Sequence, residues 1–392
     1  VWPIPQVGWV TSRGPAAGRP VRVVAASRVG VVPRSDRTPT AAPATEWSPD
    51  ILGDGFTCTT IDLGADPDGE APIVATLVRH RPDTVPEGPR AAVLYVHGFT
   101  DYFFQAPLAE AFAAAGFDFF ALDLRKCGRS RRPGHTPHHI TDLAAYDAEL
   151  DAALDIVDEV TGGAAVVVAA HSTGGIITPL WLDRLRRTDP VRHERVTGLV
   201  LNSPWFDLQG APALRSWGTW IVHALARIAP TRPLPQRLPG GYGESLHASA
   251  HGEWEYDLDL KPLGGFPVTF GFLSAVRRGH ATLHRGLDVG VPSLVLRSDR
   301  SLLGGPYRTE IDTVDAVLDV EQIARWSGCL GDRVTVVPVP GARHDVFLSR
   351  TPARDIAYAE LSRWLTAATP TLSARRSVHA PAAGSDPSGV TP

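Results

Sequence analysis

The chain has 392 residues and a formal net charge of −4. It is long enough for one core of about 250–300 residues with an insertion and loose ends. The balance of charge gives no electrostatic case for nucleic acid. Positive charge is almost all arginine, with lysine only at Lys126 and Lys261, and Ala, Gly and Pro are abundant. That bias reads as ancestry in a GC-rich bacterial genome. The absence of methionine, with Val1 first, fits an alternative start codon or a trimmed chain.

Cys58, Cys127 and Cys329 are too far apart for a disulfide framework or a metal knuckle, so a reducing cytoplasm is expected. No apolar run approaches the ~18 residues of a membrane span, and no leader-like apolar region opens the chain. Stable membrane anchoring is therefore not expected.

Residues 1–48 are rich in Pro, Ala and Arg without periodicity and read as a flexible N-terminal arm. A core is expected from 49. Ala91–Val96 is a short apolar run ended by Gly98, which predicts a buried strand. Phe117–Leu122 predicts a second and Ala164–Ala170 a third. Between them, Leu143, Tyr146, Leu150, Leu154 and Val157 recur at three- and four-residue steps, which predicts an amphipathic helix over Asp142–Glu159. Gly175–Arg187 predicts another helix and Thr197–Leu201 a fourth strand. From 204 to 286 the alternation stops, and this stretch holds Trp205, Trp217, Trp220 and Trp254. An aromatic-rich insertion between core strands predicts a cap. The core resumes over 287–368, with strands at Pro292–Leu296 and Arg333–Val337 and a helix at Pro352–Leu365. Residues 369–392 read as a flexible tail. Strand–helix alternation of this kind predicts an α/β fold with a mostly parallel sheet covered on both faces, and ligands beyond the carboxyl ends of its strands.

The segment Ala165–Gly175 runs from an apolar strand through His171-Ser172-Thr173-Gly174-Gly175 into a helix. Small residues two positions either side of Ser172 permit the sharp turn that lifts a serine Oγ clear of the backbone. The Thr173 amide then sits at the helix N-terminus, where it can hold an oxyanion. His97-Gly98-Phe99 follows the first strand, and Gly98 permits a turn that aims the Phe99 amide at the same oxygen. His97 is expected to brace that loop. His344 follows the last strand and is the candidate general base. Two carboxylates compete to orient it: Asp299, directly after a strand, and Asp315, which lies 29 residues before His344 and is preferred. Trp205, Phe206, Trp217, Trp220 and Phe272 are candidate walls for an apolar substrate.

Together these residues resemble the α/β-hydrolase superfamily, and within it the monoacylglycerol lipase and lysophospholipase branch, grouped with serine aminopeptidase-like hydrolases. The resemblance spans roughly Thr60–Ala367. It rests on His97-Gly98, Asp123–Ser130, His171–Gly175, Asp315–Asp319 and Gly341–Asp345. Ala170 stands where the family has glycine, and Lys126-Cys127 replaces a glycine and its neighbour in the Asp123 turn. The resemblance implies a carboxylesterase acting on hydrophobic or lipid-like small-molecule esters, with Ser172, His344 and Asp315 as triad and no cofactor or metal. Proline iminopeptidase-like amidases share the fold. For those, Glu244, Glu253, Glu255, Asp257 and Asp259 in the insertion are candidates to hold a free amino group. A hydrolase-fold protein that only binds is the reading from another class.

Overall fold

A computed structural model describes residues 45–82, 90–209, 212–235 and 239–376. The expected arm up to 44 and the tail from 377 lie outside them. The strands are β1 (Ser48–Pro49), β2 (Phe56–Gly64), β3 (Ile73–His80), β4 (Ala91–Val96), β5 (Phe117–Asp123), β6 (Val166–His171), β7 (Val196–Asn202), β8 (Ser293–Ser298) and β9 (Val334–Val339). The helices are α1 (Ala106–Ala114), α2 (Asp147–Thr161), α3 (Gly174–Thr188), α4 (Pro190–His193), α5 (Pro212–Ile228), α6 (Gly241–Leu246), α7 (Phe270–Leu283), α8 (Val320–Ser327) and α9 (Ala353–Arg376).

Among the described residues, nine strands form one sheet in the order β1-β2-β3-β5-β4-β6-β7-β8-β9. From β5 to β9 every neighbour is parallel, while β1, β2 and β3 add an antiparallel edge. The central strands are apolar throughout because both faces are covered. In β4, Leu94 and Val96 pack toward α2, α3 and α7, whereas Val93 and Tyr95 pack toward α1 and α9. In β6, Val166, Val168 and Ala170 face the first group, and Val167 and Ala169 the second.

Two boundaries differ from the sequence expectation. Pairing begins at Ser48, where Trp47 packs against Phe120, so the ordered edge reaches into the expected arm. At the other end α9 continues to Arg376, past the expected start of the tail at 369. Among its described residues, the aromatic-rich stretch between β7 and β8 contains α5, α6 and α7 but no strand of the sheet.

The Asp123–Ser130 turn is locked by its carboxylate. Asp123 accepts from the Phe103 and Arg129 amides, and Arg129 bridges Asp123 and Asp50. Lys126 occupies a left-handed backbone position at φ 61°, which favours glycine. Its buried ammonium pairs with Asp66 at 2.6 Å and Glu70 at 3.0 Å, which holds an otherwise strained residue in place.

Candidate active site

Ser172 sits between β6 and α3 with φ 51°, the strained turn that the small neighbours permit. Its amide donates to Asn202 O at 3.0 Å, and its carbonyl accepts from Trp205 N at 2.9 Å. Both partners lie at or just beyond the end of β7, so the neighbouring strand fixes the turn. A Cβ on Gly174 would lie 2.6 Å from the carbonyl oxygens of Val96 and His97, and one on Gly175 would lie 2.6 Å from Pro204. The crowding falls on the helix side of the turn, which explains why Ala170 is tolerated on the strand side.

His344 Nε2 lies 3.0 Å from Ser172 Oγ. His344 Nδ1 lies 2.9 Å from Asp315 Oδ2. Asp315 is fully buried. Its other oxygen accepts from the Val317 and Leu318 amides at 2.8 and 2.7 Å, so the carboxylate is fixed before it meets the histidine. The long segment before it is tied back just beyond the end of β8 by an isolated parallel bridge: Asp315 N donates to Arg300 O, and Leu302 N to Asp315 O. Asp299 is exposed and accepts instead from the Gly341 amide at 3.1 Å.

Asp345 anchors the histidine loop from the far side. Its carboxylate accepts from Asn202 Nδ2 at 2.6 Å and from Gln105 Nε2 at 3.3 Å. Val346 N returns a bond to Asn202 Oδ1. The amide of Asp345 donates to Tyr242 OH, and burial, followed by the Asp345 charge, pushes the Tyr242 phenol well up.

The Gly98 turn closes on the serine from the other side, since a Cβ there would lie 2.9 Å from Ser172 Cβ. Phe99 and Thr173 thus border the same cavity as Ser172 and His344. His97 accepts from Leu124 N on Nε2 at 3.0 Å, which leaves Nδ1–H to donate to the Gly98 carbonyl at 2.7 Å. It braces the loop.

The cavity has a volume of about 480 Å³. Trp205 lines it together with Leu234, Val268, Leu273 and Leu318. Three other expected walls are corrected. Phe206 and Phe272 are buried in the core rather than lining the cavity, with Phe272 packed on Phe99 at 4.5 Å between ring centres. Trp220 faces solvent on α5. The Trp217 side chain lies outside the described residues.

The structure adds a charged group that the sequence pattern does not single out. Lys261 lines the cavity, and its Nζ lies 2.7 Å from Asp101 Oδ1. Asp101 Oδ2 lies 3.2 Å from Nδ1 of His171, the residue before the serine. Burial alone would raise the Asp101 carboxyl, but Lys261 and His171 outweigh it and hold the group well below the ordinary carboxylate range. Lys261 is one of only two lysines in the chain, a rarity that marks it in the sequence. Among the described residues no cluster of His, Cys, Asp or Glu could hold a metal ion.

A serine on a strained strand-to-helix turn of a mostly parallel sheet, at the carboxyl ends of its strands, defines an α/β hydrolase. Residues 87–305 match the model of the serine aminopeptidase, S33 family (Hydrolase_4), and the chain belongs to that family. The fold is similar to that of a soluble variant of monoglyceride lipase from Saccharomyces cerevisiae in complex with a substrate analog. The TM-score there is 0.55 at 16% identity, covering 86% of this chain and 99% of that one. It is also similar to a monoacylglycerol lipase from Paleococcus ferrophilus, with a TM-score of 0.52 at 18% identity, covering 80% and 99%. A thermostable carboxyl esterase from Bacillus coagulans in complex with glycerol has a TM-score of 0.53 at 15% identity, covering 79% and 98%. No curated protein sequence matches the chain.

Proposed function

We propose that this hydrolase cleaves carboxylic esters of hydrophobic, lipid-like acids through an acyl-enzyme, with Ser172, His344 and Asp315 as its triad. The observation that carries the reading is the hydrogen-bonded line from Ser172 Oγ through His344 to Asp315, open to a largely apolar cavity. His344 takes the Ser172 proton as Oγ attacks the acyl carbon. Asp315 holds the Nδ1–H tautomer and stabilises the imidazolium. The Phe99 and Thr173 amides receive the oxyanion. His344 then protonates the leaving alcohol, and water repeats the cycle to release the acid.

The lining favours an ester over an aminoacyl amide. An aminopeptidase needs a carboxylate facing the cavity to hold a free ammonium. No Asp or Glu is among the described residues lining it, and its one charged group there, Lys261, has the wrong sign. The insertion's carboxylates are placed otherwise: Glu253 pairs with Arg350 and Arg354. A monoacylglycerol-type ester fits the apolar walls and is also the kind of substrate named for two structures of similar fold. The free cysteines Cys58, Cys127 and Cys329 support a reducing compartment.

The test is fluorophosphonate labelling of wild type and Ser172→Ala, with p-nitrophenyl ester and aminoacyl-amide turnover measured on the same samples. Labelling and ester turnover that both vanish in Ser172→Ala, with amides turned over far more slowly by wild type, are expected. Ester turnover that survives in Ser172→Ala sinks the reading.

A further inference from the structure

Two neighbouring residues reach from the histidine loop to two carboxylates of one short segment. His344 Nδ1 meets Asp315 Oδ2, and Arg343 Nη2 donates to Asp312 Oδ1 at 2.6 Å. Residues 343 and 344 thus grip the chain at 312 and 315. Arg343 is also fixed on its own loop. Its amide donates to Ser349 Oγ at 2.9 Å, and its Nη1 donates to Leu348 O at 3.0 Å. Asp312 sits in a helical turn, Thr309–Thr313, and its Oδ2 accepts from Tyr307 OH at 3.2 Å and from Arg350 Nε at 3.3 Å. A guanidinium and a carboxylate that are each held in place form a link of defined length.

Stability is a poor reason for this pair. Arg343 is fully buried, and its Nε has no hydrogen-bond partner among the described residues. Taking a guanidinium out of water is costly, and apolar side chains in place of such a pair commonly give equal or greater stability. Substrate contact is not the reason either, since neither Arg343 nor Asp312 is among the described residues lining the Ser172 cavity. Location is what distinguishes the pair. The pairing of β8 with β9 ends at Ser298 and Val339, before either loop reaches Asp315 or His344. Side chains must therefore set the spacing of the loops beyond it.

We infer that Arg343 and Asp312 are positioning residues for acyl transfer, a buried link that holds Asp315 within hydrogen-bond reach of His344 Nδ1. The inference rests on the reading of Ser172, His344 and Asp315 as the triad. With the link intact, Asp315 keeps the imidazole aimed at Ser172 Oγ through each proton transfer. With the link cut, the two loops spread and that line loosens. The chemistry slows, while the cavity that binds the ester is unaltered.

The test is kinetics on p-nitrophenyl butyrate, with urea unfolding of the same proteins. Arg343→Met leaves Asp312 its Tyr307 and Arg350 partners, so the variant is expected to fold. It should lower kcat by about 10–100-fold with KM within about threefold, because a displacement of about 1 Å costs up to about 100-fold in rate. Adding Asp312→Asn removes the leftover charge and should return the urea midpoint toward wild type while kcat stays low. A kcat that recovers together with the midpoint overturns the inference, because the link is then only a support for the fold. In an Asp315→Asn background, Arg343→Met should cost less than about threefold more, since the link acts through Asp315. Losses that multiply there overturn it too, as does wild-type kcat in Arg343→Met when Asp315→Asn is slow. Wild-type kcat in Asp315→Asn sinks the triad reading itself, and the inference with it.

Discussion

Asp315 Oδ2 and His344 Nδ1 stand 2.9 Å apart, although the two residues leave different loops at opposite ends of α8 and β9. The carboxylate reaches the histidine with its other oxygen already held by two amides. A fixed acceptor of this kind selects the Nδ1–H tautomer, which leaves the Nε2 lone pair for the serine proton. Asp315→Asn should therefore lower kcat on p-nitrophenyl esters by about 10³–10⁴-fold with the fold retained. Asp299→Asn keeps an oxygen that can accept from the Gly341 amide, its one contact there, and should stay within about twofold. Stopped-assay kinetics on the two variants, with circular dichroism as the folding control, decide it. A larger loss in Asp299→Asn would reverse the assignment.

The central strands were legible because both faces are buried, which forces continuous apolar runs at Ala91–Val96 and Val166–Ala170. The antiparallel edge was not. In β2, Phe56, Thr59 and Ile61 are buried while Thr60 and Asp62 are exposed, and a one-sided strand of this kind yields no apolar run. Ser172 was legible because a strained turn restricts its neighbours to small residues, and His344 because it follows the last strand. Asp315 stayed in competition with Asp299 because the bridge that ties it back beyond the end of β8 is made by backbone groups, which leave no side-chain signature. Aromatic content marked the insertion but could not separate Trp205 in the cavity wall from Phe272 in the core or Trp220 in solvent.

Lys261 and Asp101 form a buried pair beside the serine turn, and removing one partner strands the other. Lys261→Met should destabilise the protein by about 3–5 kcal/mol, because Asp101 loses the ammonium that offsets its burial. Adding Asp101→Asn to that variant removes the orphaned charge and should recover much of the loss, which a sum of independent effects does not predict. Urea unfolding of the two single variants and the double variant measures the coupling. Additive losses would show that the pair is not interacting.

His280 connects pH to the cavity wall. Its Nδ1 accepts from Arg277, so Nε2–H donates to the Trp205 carbonyl at 2.8 Å. Burial first, then the Arg277 charge, lowers its pKa to about 3. The unfolded chain binds this proton near the ordinary histidine value of about 6.5, whereas the folded chain does so only near 3. Between those values the unfolded state holds more protons, so stability falls as pH falls, by up to about 1.4 kcal/mol per pH unit for this one group. His280→Gln, which keeps a donor for Trp205, should flatten the stability profile between about pH 6 and pH 4. Urea midpoints of the two proteins across that range test it, and parallel profiles would remove His280 from the account.

The two sides of the serine turn make opposite demands. A Cβ at position 174 would sit 2.6 Å from two backbone oxygens, and backbone cannot rotate away as a side chain can. Gly174→Ala must therefore push β4 or the Gly98 loop off the serine. It should cost several kcal/mol and lower kcat by at least about tenfold, because the Phe99 amide moves with that loop. Ala170→Gly restores the glycine common in the family, at a strand position that is already comfortable with a methyl group. It should leave kcat within about threefold while costing about 0.5–1 kcal/mol from added freedom in the unfolded chain. Melting temperature and ester kinetics on the two variants separate the cases. A stable, fully active Gly174→Ala protein would show that the loop yields without moving its amide.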